Sequence, residues 1–177
     1  MVESPVHIPC GDIELEGMVQ MVAGSKKGVV VTHPHPLYGG NMNNPVVRQV
    51  SDSFYKNNFS TLRFNFRGTG LSSGGFEDGA GEQDDVHAAL DFLRGQGVSF
   101  LFLAGYSFGA WVNAQAVSSG IAVDGHIMVS PPPDQIRHLM DKLEINPEFC
   151  VLNGCDHFYA AAALDDLGQC IHSYLNS

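Results

Sequence analysis

Phe100-Leu101-Phe102-Leu103-Ala104-Gly105-Tyr106-Ser107-Phe108-Gly109-Ala110 decides how this chain is read. Five apolar residues in a row have the length of a fully buried strand. They run without a linker into Gly-x-Ser-x-Gly, and Ala110 to Val117 continues at helical spacing. A turn this tight between strand and helix leaves no room for a side chain two residues before or after the serine. Glycine at 105 and 109 removes that clash, so Ser107 is expected at the carboxyl edge of the sheet, exposed and poised as a nucleophile. The helix that follows aims its free N–H groups at the same place, which favours a developing oxyanion and makes Phe108 N–H one expected donor.

Outward from this turn, strands and helices alternate. Val29-Val30-Val31-Thr32 reads as a strand, followed by a Pro/Gly-rich loop from His33 to Asn44 and a helix opening at Pro45. Ser60 to Phe66 alternates like a strand and stops at Arg67-Gly68-Thr69-Gly70. Glu82-Gln83-Asp84-Asp85 suits a helix N-terminus, with Val86, Ala89, Leu90 and Leu93 on one face. His126 to Ser130 is the next strand, Asp134 opens a helix to about Leu143, Phe149 to Leu152 is the last strand, and Ala160 to Leu175 a final helix. Val6 to Pro9 and Ile13 to Val22 predict an antiparallel hairpin at the start. The expectation is one α/β domain over residues 1–177, with a mainly parallel central sheet and helices on both faces.

The serine needs a base and, in chain order, an acid before that base. His157 follows the last predicted strand and is the residue placed to take the Ser107 proton. His126 starts a strand at the wrong edge, and His138 and His172 lie within helices. Asp134, just past a strand end, is the leading candidate for the acid, although capping its own helix is an equal role for it. Asp156 adjoins His157 and reads as a loop-shaping residue, while Asp141 and Glu144 stay open. The second oxyanion donor is expected from the loop His33-Pro34-His35-Pro36-Leu37-Tyr38-Gly39-Gly40. Proline has no N–H, which leaves Leu37 or Tyr38, with Gly39 and Gly40 letting substrate approach. His33-x-His35 lacks a nearby carboxylate or cysteine to complete a metal site, so hydrogen bonds shaping the loop are the expected role, and no metal or cofactor is called for.

Composition narrows the partners. With 9 basic against 19 acidic residues the formal charge is −10, which disfavours nucleic acid and anionic membrane surfaces. Met1 to Pro5 lacks a basic region leading into an apolar run, and no stretch approaches a membrane span, so a cytoplasmic location is expected. In that compartment Cys10, Cys150, Cys155 and Cys170, none in a Cys-x-x-Cys pair, read as free thiols.

Five blocks together resemble a bacterial family of small α/β-hydrolases related to dienelactone hydrolases and dipeptidyl-peptidase-like hydrolases. They are His33 to Gly40, Leu62 to Gly68, Gly81-Glu82 with Asp85 and Ala88-Ala89, Gly105 to Gly109, and Asp156-His157-Phe158. The resemblance implies the α/β-hydrolase fold, Ser107 as nucleophile and His157 as base. The family also carries a Gly-Asp-x-Asp segment that supplies the acid, and nothing of that form follows Pro133 here. About 25–35 residues, one strand and its loop, are absent relative to that pattern. In serine proteases the comparable loss of the acid costs about 10⁴ in turnover.

Two functions are therefore carried forward. The first is hydrolysis of an ester, thioester or similar acyl bond of a small substrate through an acyl-serine, at an open site without a lid. The second is a catalytically impaired hydrolase fold serving as a binding or assembly module. Losing a strand would also expose a sheet edge, which favours pairing with a second copy as a homodimer.

Overall fold

The computed structural model describes residues 3–143, 150, 152, 155–159 and 161–176. Within them, β1 (Ser4–Cys10) and β2 (Ile13–Gln20) form the expected antiparallel hairpin. β3 (Lys27–Thr32), β4 (Ser60–Phe64), β5 (Phe100–Tyr106) and β6 (Gly125–Val129) alternate with α1 (Pro45–Lys56), α2 (Glu82–Gly95) and α3 (Phe108–Ser118). α4 (Pro133–Leu143) and α5 (Ala161–Leu175) complete the set. The strands lie in the order β1-β2-β4-β3-β5-β6, with β4, β3, β5 and β6 parallel to one another and β2 antiparallel to β4.

Side-chain alternation explains why helices cover both faces. In β3, Val30 points into one core layer with Leu62, Leu103, Leu90, Leu93 and Val112, under α2 and α3. Its neighbours Val29 and Val31 point into the other, with Val47, Val50, Phe54, Leu167 and Ile171 of α1 and α5. A central strand buried on both sides reads as an unbroken apolar run, as Val29-Val30-Val31 of β3 and Leu101-Phe102-Leu103-Ala104 of β5 do. α1 starts as Pro45 predicts: Asn44 caps it, its side-chain oxygen accepting the Val46 N–H at 2.9 Å.

β4 stops at Phe64, two residues short of the expected end: Asn65 N–H still donates to Glu16 O on β2 at 2.8 Å, but Phe66 N–H turns to the His33 ring and donates to Nε2 at 3.0 Å. Cys150 and Cys170 are joined in a disulfide, Cα atoms 6.7 Å apart, which corrects the expectation of four free thiols. Of the expected last strand, Phe149 and Val151 lie outside the described residues, as does Glu144. No helix among the described residues is long and apolar enough to cross a membrane.

Candidate active site

Ser107 sits between β5 and α3 with φ 54° and ψ −116°, a backbone conformation that side chains avoid. Such a residue costs on the order of 1–3 kcal/mol and persists only where its surroundings impose it. The surroundings are visible. A Cβ on Gly105 would stand 2.6 Å from Ala110 N and 2.7 Å from the Asn113 amide; one on Gly109 would stand 2.6 Å from His33 O. Ser107 N–H donates to Val129 O at 2.9 Å, pinning the turn to the end of β6, and Ser107 O accepts the Trp111 N–H at 3.2 Å, the first turn of α3. Phe108 N–H donates to no protein acceptor among the described residues and opens α3 beside the hydroxyl.

His157 meets the serine from the far side: its Nε2 lies 3.1 Å from Ser107 Oγ. Sequence alone placed those two residues 50 positions apart on one edge of the sheet, and the structure brings them together. Two tyrosines hold the histidine segment. The Tyr106 hydroxyl donates to His157 O at 2.5 Å, and the rings are 5.3 Å apart. Burial pushes the Tyr106 phenol up to about 12, so it stays a donor. The Tyr159 hydroxyl shares a 2.8 Å hydrogen bond with Ser130 Oγ, tying the same segment to the residue after β6. Asp156 shapes the loop as expected, accepting the Phe158 N–H at 2.9 Å.

Asp134 is not brought to this pair. It is exposed in the first turn of α4, and no hydrogen bond or ion pair engages its side chain. Among the described residues no carboxylate hydrogen-bonds a His157 ring nitrogen. The oxyanion expectation for the loop after β3 also changes. Leu37 N–H donates to His35 Nδ1 at 3.3 Å and Tyr38 N–H to His35 O at 3.1 Å, both spent inside the short 3₁₀ turn Pro36–Tyr38. Gly39 has a φ of 81°, which favours glycine, and a Cβ there would point into open space. His35 N–H in the same loop has no protein acceptor among the described residues. Its ring packs 4.8 Å from that of Phe108, which puts the loop against the serine turn.

His33 is structural, as the loop reading expected. Its Nδ1–H donates to Pro34 O at 2.7 Å and its Nε2 accepts from Phe66. Burial pushes its pKa down to about 4, so it stays neutral. Polar residues that sequence reading passed over do comparable work from the end of β4. Arg63 is buried and holds Met42 O at 3.0 Å and Asn43 Oδ1 at 2.8 Å, while Glu3 takes its other nitrogens. Asn65 Oδ1 accepts the Met42 N–H at 2.8 Å. Arg67 is locked to Asp85 at 2.8 and 3.0 Å and to Glu77 at 2.6 Å. The signal was there in Arg63, a charged residue inside a strand buried on both faces, and in Asn65 and Arg67, buried polar residues set among apolar ones just past its end.

Comparisons with solved structures agree with this fold. No family model matches the chain. An uncharacterized protein of Rickettsia prowazekii (strain Madrid E) is 31% identical over 184 residues, covering 82% of this chain and 77% of its own. An α/β serine hydrolase homologue from Coxiella burnetii superimposes with a TM-score of 0.87 at 28% identity, over 99% of this chain and 98% of that one. An α/β serine hydrolase without lid from Xanthomonas campestris does so with a TM-score of 0.81 at 25% identity, over 98% and 94%.

Proposed function

The chain belongs to the small bacterial α/β-hydrolases without a lid, and from that footing we propose that it cleaves an ester, thioester or similar acyl bond of a small substrate through an acyl-serine intermediate. The observation that carries this reading is the 3.1 Å contact between Ser107 Oγ and His157 Nε2 on a strained turn whose neighbouring N–H groups are free. Ser107 Oγ attacks the carbonyl carbon as His157 Nε2 takes its proton. The carbonyl oxygen becomes an oxyanion, which Phe108 N–H and His35 N–H are placed to receive. His157 then gives its proton to the leaving alcohol or thiol as the carbon–oxygen or carbon–sulfur bond breaks, leaving acyl-Ser107. A water attacks that ester with His157 again as base, and the product acid leaves with the serine restored. The Tyr106 hydroxyl, by binding the His157 backbone carbonyl, holds the histidine segment beside Ser107.

Among the described residues no carboxylate reaches His157, which favours a second reading, a hydrolase fold kept for binding or assembly, with little turnover. One experiment separates the two. A fluorophosphonate probe labels the wild-type protein and not Ser107→Ala, and only the wild type turns over p-nitrophenyl acetate. Well-folded wild-type protein that takes no label and releases no nitrophenol would reject the enzyme reading.

A further inference from the structure

Among the described residues the large apolar side chains most exposed are Leu37, Tyr38, Leu71 and Phe158. Scattered exposed apolar residues need no explanation. Phe158 differs in where it stands. It is 81% exposed, and its ring lies 5.7 Å from that of His157, set edge to face at 84°. Its backbone is held there, since Phe158 N–H donates to Asp156 Oδ1 at 2.9 Å. Among the described residues one other ring packs on the imidazole, that of Tyr106 at 5.3 Å, and Tyr106 is buried. His157 itself is exposed, so the reacting pair meets solvent beside Phe158.

Chemistry then decides which part of a substrate comes to this ring. In the acyl-transfer reading the leaving atom takes its proton from His157 Nε2, so at that moment it stands within about 3 Å of that nitrogen. The acyl arm hangs from the carbonyl carbon at Ser107 and has no such need to approach the histidine. Whatever is attached to the leaving oxygen or sulfur does. We infer that Phe158 is a specificity-determining residue for the leaving group, favouring an uncharged aromatic or bulky apolar alcohol or thiol that packs on the exposed ring. Ring-on-ring packing is a gain that a small alcohol cannot supply. Water takes the same place beside Nε2 in deacylation and offers the ring nothing to hold, so the preference belongs to acylation and is read in kcat/KM. This specificity rests on the acyl-transfer reading above and adds a leaving-group class to it.

The test measures kcat/KM by acid release for ethyl acetate, benzyl acetate and ethyl hexanoate on wild type, Phe158→Ser and Leu71→Ser. Ethanol and benzyl alcohol are similar in acidity, so intrinsic reactivity contributes little to the comparison. Serine at 158 keeps the backbone N–H that Asp156 accepts. Benzyl acetate is expected to exceed ethyl acetate about tenfold in wild type and about twofold in Phe158→Ser, with the hexanoate-to-acetate ratio unmoved by that substitution. Leu71→Ser, which removes an equally exposed apolar side chain from the loop after β4, keeps both wild-type ratios. No benzyl preference in wild type, or one that survives Phe158→Ser or is lost equally in Leu71→Ser, overturns the inference and leaves the hydrolase reading standing. So does an equal fall for all three esters in Phe158→Ser, which would make the ring a support for His157 and nothing more. A shift in the hexanoate ratio instead puts the ring on the acyl side and overturns the leaving-group assignment. Failure of Ser107 labelling together with cleavage of no ester, p-nitrophenyl acetate included, rejects the hydrolase reading and the inference with it.

Discussion

A strained serine with a histidine at 3.1 Å is only as useful as the histidine's orientation. Usually a carboxylate on the second ring nitrogen fixes it. Among the described residues the groups that hold the histidine act on its segment, the Tyr106 hydroxyl on the His157 backbone carbonyl and Ser130 on Tyr159 two residues on. Tyr106→Phe should therefore lower kcat for p-nitrophenyl acetate about tenfold with little change in KM, the size of one lost hydrogen bond, whereas Asp134→Asn should stay within about twofold. A fall of two orders of magnitude with Asp134→Asn would restore that carboxylate as the acid. Ser107 and His157 were legible in the sequence because their type and topological order are both constrained. The loop N–H proposed above as second oxyanion donor was not. Which N–H of a proline-rich loop stays free depends on a 3₁₀ turn that uses up Leu37 and Tyr38, and no residue pattern announces it.

Elements place these residues by packing strand ends against loops. The strands and helices could be read closely because apolar period and punctuation agree along most of the chain, from Asn44-Pro45 opening α1 to the glycines around Ser107. Reading was weaker where charged side chains do structural work. The acidic run at 82–85 predicted a helix start, which it is, yet Glu82 and Asp85 are buried. Glu82 accepts the Glu77 and Gly79 N–H groups, folding the glycine-rich loop back on its helix. Asp85 accepts Arg67 N–H at 2.9 Å as well as two guanidinium contacts, joining the end of β4 to α2. Removing one member of such a buried pair strands the other, so Asp85→Ala should cost about 3 kcal/mol or more in urea unfolding. A loss under about 1 kcal/mol, the range of exposed ion pairs, would mean that solvent reaches Arg67 freely.

At the scale of the whole molecule, two buried histidines make stability depend on pH. His33 and His126 are each pushed by burial from an ordinary value near 6.5 down to about 4. Both are neutral in the fold, while the unfolded chain protonates them as pH drops through 6.5. The unfolded state then binds more protons, so stability rises with pH across this window. Their contribution is fully present above 6.5 and is lost as pH falls toward 4, roughly 3 kcal/mol for each. The two differ in what protonation breaks. His33 Nε2 accepts the Phe66 N–H, so acid loosens the loop that carries His35 beside Ser107. His126 Nε2 is buried on β6 with no hydrogen-bond partner among the described residues, and protonation there buries a charge. A leucine in its place removes both the unpaired nitrogen and the titration. His126→Leu should thus match or exceed wild type at pH 7, and should lose roughly 3 kcal/mol less than wild type between pH 7 and pH 4 in urea unfolding. Other titrating groups are common to both proteins and cancel in the difference. Equal losses in the two would show that His126 reaches solvent and is free to take its proton within the fold.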